Sequence, residues 1–230
     1  MSGARRDFFV TGTDTGVGKT LVSAALLRAL RGRGLAVAGM KPVASGATHA
    51  PEGLRNADAL ALLAESSLPW PYEAVNPYCF EPSVAPHIAA AEAGAEIRLA
   101  PIEQAFRRLQ GGCDVVIVEG AGGFLVPLGP RLSFADVPRA LGLEAILVVG
   151  LRLGCLNHAL LTAEAMARRG LTLAGWVGNQ VDPEFAQRGM NLATLTRALA
   201  GPCIGVIPFM QRTGLQSAAE RLETGMLYGS

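Results

Sequence analysis

Lysine is almost missing from this chain. Of its 20 basic residues only Lys19 and Lys41 are lysines, and the other 18 are arginines. The usual lysine is a solvated surface residue. A sequence that does not use lysine that way gives its two positions unusual weight. An excess of charge is missing too. Twenty basic residues face 19 acidic ones, for a net charge of +1. No overall field draws the protein to nucleic acid or to anionic lipid, so neither is expected as a partner and any anion must be held locally.

Paired cysteines are absent. Cys79, Cys113, Cys155 and Cys203 are far apart and form no C-x-x-C pair, which argues against a zinc or redox motif and for buried free thiols in a reducing compartment. No uninterrupted apolar stretch reaches membrane length. Met1 to Phe9 passes from charged residues into a short apolar run with no signal-peptide core. A cytoplasmic protein with no membrane contact is expected. Aromatics make up only 6%.

What is present is apolar, small and Gly-rich. Half the residues are hydrophobic, 17% are charged and 28 are glycine. At 230 residues the chain suits one domain spanning residues 1–230, with a core large enough to be covered on both sides. Short apolar runs alternate with helical periodicity, the pattern of an α/β fold with a parallel sheet and helices on both faces. Strands are expected at Phe8 to Thr11, Leu35 to Met40, Val115 to Val118, Ala145 to Val149, Leu173 to Val177 and Ile204 to Ile207. Helices are expected from Lys19 to Arg33, from an Asn56 or Asp58 cap to Glu65, and over 84–93, 102–110, 157–169 and 192–200. Five prolines fall between Pro69 and Pro86, which reads as an irregular connector, a lid or a substrate loop.

The first expected strand runs into Gly12-Thr13-Asp14-Thr15-Gly16-Val17-Gly18-Lys19-Thr20 and then a helix. Glycines let successive N–H groups turn inward around phosphate oxygens, and the helix N-terminus adds partial positive charge. Lys19 can reach the β- and γ-phosphates and Thr20 can ligate Mg²⁺, so the segment reads as a nucleoside triphosphate loop. Its first glycine sits one residue earlier than the common spacing allows. Glu119 ends a buried strand at the edge where α/β proteins bind ligands, and Gly120 to Gly123 follow it. It matches the second metal-binding acid of a phosphate-loop protein. Lys41 ends the second strand and points to the same edge as Lys19. Two lysines there would stabilise a transferring phosphoryl group. Taken alone, Asp58 reads as a helix cap or a surface acid, Asn179 as a turn residue able to read a base edge, and His87 as structural.

Together these segments resemble the dethiobiotin synthetase family. The match runs in order through Val10 to Thr15 with Val17 to Thr20, Lys41 to Gly46, Pro51 to Asn56 with Asp58, and Asn76-Pro77-Tyr78. It continues through Pro86-His87, Val118 to Gly123, Leu153 to Cys155 with Asn157 to Ala159, Leu173 to Val177 with Asn179, and Ile207-Pro208. The longer spacing of the phosphate loop is the family's own form. The resemblance implies a phosphate-loop NTPase fold and a homodimer. It implies ATP-dependent carboxylation and ring closure of 7,8-diaminononanoate with CO2, through a carbamate and a carbamic-phosphoric anhydride.

Carried onto this sequence, it makes Lys41 and Lys19 catalytic and puts Mg²⁺ on Thr20, Asp58 and Glu119. ATP falls to Gly16, Val17, Gly18, Lys19, Thr20, Leu21, Asp58, Glu119, Gly120, Ala121 and Gly122. Asn179, Gln180, Pro208, Phe209 and Met210 lie toward the adenine. The substrate falls to Thr15, Ser45, Gly154, Cys155 and Asn157. Two positions depart from the pattern: Gly16 stands where some relatives carry an acid, and Asn191 where some place a Tyr. A regulatory ATPase switch of the partition or septum-site type shares the fold. Such switches carry a second lysine early in the loop, and Thr11 to Thr15 has none. An amidoligase-like synthetase acting on another carboxylate is a further rival, and the Lys41-to-Gly46 and Asn157-His158 segments speak against both.

Overall fold

The computed structural model describes residues 5–209 and 214–227. The chain opens with strand β1 (Phe8–Gly12), helix α1 (Lys19–Gly32), β2 (Val37–Met40), β3 (Val43–Ala44), β4 (Thr48–Ala50) and β5 (Gly53–Arg55). It continues through α2 (Ala57–Glu65), α3 (Tyr72–Val75), β6 (Tyr78–Cys79), α4 (Pro86–Glu92), α5 (Leu99–Gln110), β7 (Val115–Gly123), α6 (Asp136–Leu141) and β8 (Glu144–Leu151). Then come α7 (Cys155–Arg168), β9 (Leu173–Gln180), α8 (Arg188–Ala198), β10 (Cys203–Ile207), α9 (Leu215–Ala219) and a 3-10 turn at Thr224–Leu227.

Six strands form one sheet in the order β10-β9-β8-β1-β7-β2, and every neighbouring pair is parallel. Alternation along each strand sends successive side chains to opposite faces. Phe8, Val10, Val37, Val115 and Ile117 pack with Val22, Leu26, Leu27 and Leu30 of α1, and with Leu62 of α2 and Ala218 of α9. Phe9, Ala38, Met40, Val116 and Val118 face the other way, onto Ile102, Phe106 and Leu109 of α5 and Val137 of α6. At the far side of the sheet Leu147, Val149 and Trp176 pack under α7 and α8. The expected architecture, a parallel sheet with helices on both faces, is the one observed. Each fully buried Leu or Phe of these layers contributes roughly 1.5–3 kcal/mol.

Several boundaries differ from expectation. The second strand begins at Val37 rather than Leu35, and α5, α7 and α8 begin at Leu99, Cys155 and Arg188. The Pro69–Pro86 stretch is not wholly irregular: it holds α3 and β6, and β6 pairs parallel with β3. The β4–β5 hairpin and α6 carried no sequence expectation.

Candidate phosphate-loop site

β1 sits at the centre of the sheet, with β8 on one side and β7 on the other. This is where ligands bind in open α/β sheets. β1 delivers the loop from Gly12 to Gly18. Thr13 N–H donates to Val148 O at 3.0 Å, Asp14 Oδ1 accepts from Thr15 N–H at 2.7 Å, and Arg152 reaches Asp14 Oδ2 at 2.5 Å. Gly16 and Gly18 have φ of 72° and 87°, a region closed to most L-residues. Val17 is buried, wedged beneath the loop. A Cβ on Gly12 or Gly150 would lie only 2.6 or 2.7 Å from a Val17 methyl. Gly18 caps α1, so the first N–H groups of that helix face the loop.

A cleft of about 660 Å³ opens at this edge. Thr15, Gly16, Gly18, Lys19 and Thr20 line it from the loop and α1. Lys41, Ser45 and Asp58 enter from the β2–α2 segment, and Glu119, Ala121 and Gly122 from β7. Ser83 to Pro86 and Val126 complete the wall. Ser83 to Ala85 belong to the Pro-rich stretch read from sequence as a connector, lid or substrate loop, and Val126 carried no sequence expectation. A second hollow, of about 630 Å³, lies at the other end of α1 beside Arg28, Arg31 and Glu220. It holds no part of the loop, and Arg28 and Arg31 are paired with Glu65.

Lys41 is the centre of the cleft's charge network. Its Nζ donates to Glu119 Oε1 at 2.6 Å, to Asp58 Oδ2 at 2.9 Å and to Gly120 O at 3.1 Å. An ammonium has three N–H donors, and these contacts account for all of them. Burial pulls the Lys41 pKa down, but the two carboxylates outweigh it and hold it above the ordinary lysine value. Burial likewise raises Asp58, and Lys41 reverses this to a net lowering. Lys19 has the opposite balance. Burial and then Lys41 lower it from 10.5 to about 8, against the pull of Glu119, Asp58 and Asp14. Its Nζ folds back to Asp14 O at 3.0 Å.

Thr20 Oγ1 donates to the same Glu119 Oε1, at 3.0 Å. Glu119 Oε2 is buried with no hydrogen-bond partner among the described residues. That orphaned oxygen, the Thr20 hydroxyl and the Asp58 carboxylate are hard donors suited to Mg²⁺, a cation that completes its shell with water and phosphate. Among the described residues no group of three or more His, Cys, Asp or Glu is placed to hold a metal. The donor set therefore fits a metal shared with a phosphate ligand, not one enclosed by protein.

Among the described residues, the remaining expected site residues are not part of the cleft's wall. Asn179 Nδ2 donates to Val17 O at 2.8 Å, and Gly18 leaves room for that amide. Asn179 thus supports the loop directly. Gln180 Oε1 accepts from Arg188 and, at 3.3 Å, from Phe209 N–H, which ties β9 to the segment holding Pro208 and Phe209. Met210 lies outside the described residues. Leu21 is part of the α1 core layer. Gly154, with φ 92°, precedes α7. There Cys155 is buried and Asn157 exposed, and Cys155 Sγ lies 3.9 Å from Asn191 Oδ1. Among the described residues none of these three lines the cleft.

The chain matches the family described as AAA domain over residues 6–217. It is 52% identical over 217 residues to a protein of Pseudomonas paraeruginosa named ATP-dependent dethiobiotin synthetase BioD, covering 94% of this chain and 95% of that one. A protein of the same name from Aromatoleum aromaticum is 54% identical over 203 residues, covering 88% and 90%. Among solved structures it is similar to the MinC:MinD cell division protein complex of Aquifex aeolicus, with a TM-score of 0.59 over 93% of this chain and 86% of that one. At 17% identity, that likeness bears on the fold alone.

Proposed function

The chain belongs to the ATP-dependent dethiobiotin synthetase family, and from that premise we propose how its cleft makes dethiobiotin from 7,8-diaminononanoate, CO2 and ATP. The observation that carries the reading is the meeting of both lysines of the chain with Thr20, Asp58 and Glu119 in one cleft.

The loop from Gly12 to Gly18 and the start of α1 cradle the β- and γ-phosphates, with Lys19 swung from Asp14 O onto them. Thr20, Asp58 and Glu119 hold Mg²⁺. Bound there, the metal supplies positive charge that offsets the phosphate oxygens. One amine of the substrate takes up CO2 and loses a proton, giving a carbamate beside Ser45 and Thr15. A carbamate attacking a triphosphate brings two anions together, so the site must supply cations and fixed geometry. Lys41 does both. The carbamate oxygen bonds to the γ-phosphorus as the bond to ADP breaks. The second amine then attacks the carbamoyl carbon and gives up a proton, the bond from that carbon to the bridging oxygen breaks, and phosphate leaves with that oxygen as the ring closes. Ser83 to Pro86 and Val126 wall off water, which would otherwise hydrolyse the anhydride.

Asn179, Gln180, Pro208 and Phe209 hold the adenine side. Gly154, Cys155 and Asn157 take the substrate carboxylate across a homodimer interface. Supporting that assembly, Leu153, Leu161 and Met190 expose 92%, 56% and 72% of their surface on and beside α7 and α8. Sedimentation of Leu161→Asp should give a monomer if this face is the interface; an unchanged mass relative to the parent protein would count against it. Among the described residues no helix is long and apolar enough to cross a membrane, and the enzyme is assigned to the cytoplasm, where ATP is supplied.

The route is tested with freshly dissolved C¹⁸O₂. Attack through a carbamate oxygen puts one labelled oxygen in the released phosphate and one in the product. Unlabelled phosphate formed alongside dethiobiotin would exclude the anhydride.

A further inference from the structure

Lys41 directly follows β2 of the six-stranded sheet, but Asp58 stands on α2, outside it, so strand pairing does not fix their separation. A buried chain of hydrogen bonds does. Asn76 Nδ2 donates to Lys41 O at 2.6 Å and to Tyr78 O at 2.9 Å. With its nitrogen committed to two carbonyls, Asn76 must turn Oδ1 toward the Tyr72 hydroxyl, 2.9 Å away. That fixes Tyr72 as the donor. Its oxygen in turn accepts from Asn56 N–H at 2.7 Å. Asn56 Oδ1 caps α2 by accepting from Asp58 N–H at 3.0 Å and Ala59 N–H at 3.2 Å, and Asn56 Nδ2 reaches Ser45 O at 3.2 Å. Lys41 N–H donates to Val75 O, at the end of the same short α3, at 2.8 Å.

Tyr72, Asn56, Asn76 and Lys41 are all buried. Burial pushes the Tyr72 phenol well up, so it remains a donor. The Arg55 guanidinium covers its ring at 4.3 Å. One hydroxyl therefore joins the backbone of Lys41, the cap that carries Asp58, and Ser45.

We propose that Tyr72 is a positioning residue for the reaction, its hydroxyl setting Lys41 and Asp58 at their working separation while touching neither ATP nor substrate. This rests on the roles given above to Lys41 and Asp58. Tyr72→Phe keeps the ring and its Arg55 contact and removes the oxygen, leaving Asn56 N–H and Asn76 Oδ1 without that partner. The expected result is a fall in kcat of about tenfold to a hundredfold, with a smaller change in KM for ATP, since the phosphate loop keeps its contacts while Asp58 shifts.

A second readout does not need turnover. Protein labelled with ¹³Cε-lysine gives two lysine signals, from Lys19 and Lys41. The Lys41 signal should move in Tyr72→Phe. Leu30→Ala, in the last turn of α1 and far from the cleft, lowers stability alone and should leave kcat and the Lys41 signal in place. If Tyr72→Phe does not fold, Asn76→Ser cuts the same chain at Lys41 O and should give the same selective loss. Parent-like kcat in Tyr72→Phe overturns the proposal, and so does a fall in kcat with an unmoved Lys41 signal. A parent enzyme that forms no dethiobiotin would instead refute the assigned reaction, and the lysine signals would still decide the positioning.

Discussion

The Lys41 ammonium lies 2.6 Å from Glu119 Oε1, and both side chains are buried, Glu119 completely. Removing one member of such a pair leaves an uncompensated charge, at a cost of about 3–5 kcal/mol. Lys41→Ala should therefore lower the melting temperature and abolish dethiobiotin formation. ADP affinity should remain within about threefold, because backbone N–H groups and Lys19 hold the phosphates. Calorimetry and a product assay on one preparation check both halves. Near-parent product formation would remove Lys41 from catalysis.

Glu119 has one oxygen shared by Lys41 and Thr20 and one with no partner among the described residues. In Glu119→Gln the side chain keeps its shape but loses its charge. The Mg²⁺ concentration giving half-maximal turnover should rise about tenfold or more. A Mg²⁺ titration of the initial rate reads this directly, and an unchanged midpoint would take Glu119 out of the metal's shell.

The Lys19 pKa, lowered to about 8 by burial and by Lys41, predicts a pH dependence of nucleotide binding. The charged form binds phosphate, so affinity is complete below that pKa and is lost as pH rises through it. Measured with ADP in the absence of Mg²⁺, affinity should be flat near pH 7 and fall above about pH 8, toward tenfold per pH unit. Binding near pH 8 should take up a proton, visible as heats that vary with the buffer. Lys19→Arg should flatten the profile, and a flat profile in the parent protein would contradict the assignment.

The folded loop was legible in sequence because its cause is local: a strand, glycines, then a helix. Glu119 and Lys41 were legible because an apolar run of known length ends on each. What was not legible depends on contacts between distant residues. β7 runs on to Gly123 only because Gly123 pairs with Gly12 of β1. Tyr72 and Asn76 lie in a Pro-rich stretch with no periodicity, and their hydrogen bonds reach to Asn56 and Lys41. Asn179 reads as a turn residue in isolation, and its bond to Val17 O spans 162 positions.

Gly18 gives that last contact a consequence. Its φ is +87°, and a Cβ there would meet Asn179 Nδ2 at 2.2 Å. Gly18→Ala carries a left-handed penalty of about 1–2 kcal/mol and must also push the Asn179 amide off Val17 O. Urea unfolding should show at least that loss, and ADP binding should weaken markedly. Parent-like stability and binding would mean that the loop adapts without Asn179.

The most direct test of the whole account is incubation of the purified protein with 7,8-diaminononanoate, bicarbonate and MgATP, followed by mass spectrometry. The account predicts the mass of dethiobiotin, with ADP and phosphate formed one for one with it. ATP turnover with no mass matching dethiobiotin would contradict it.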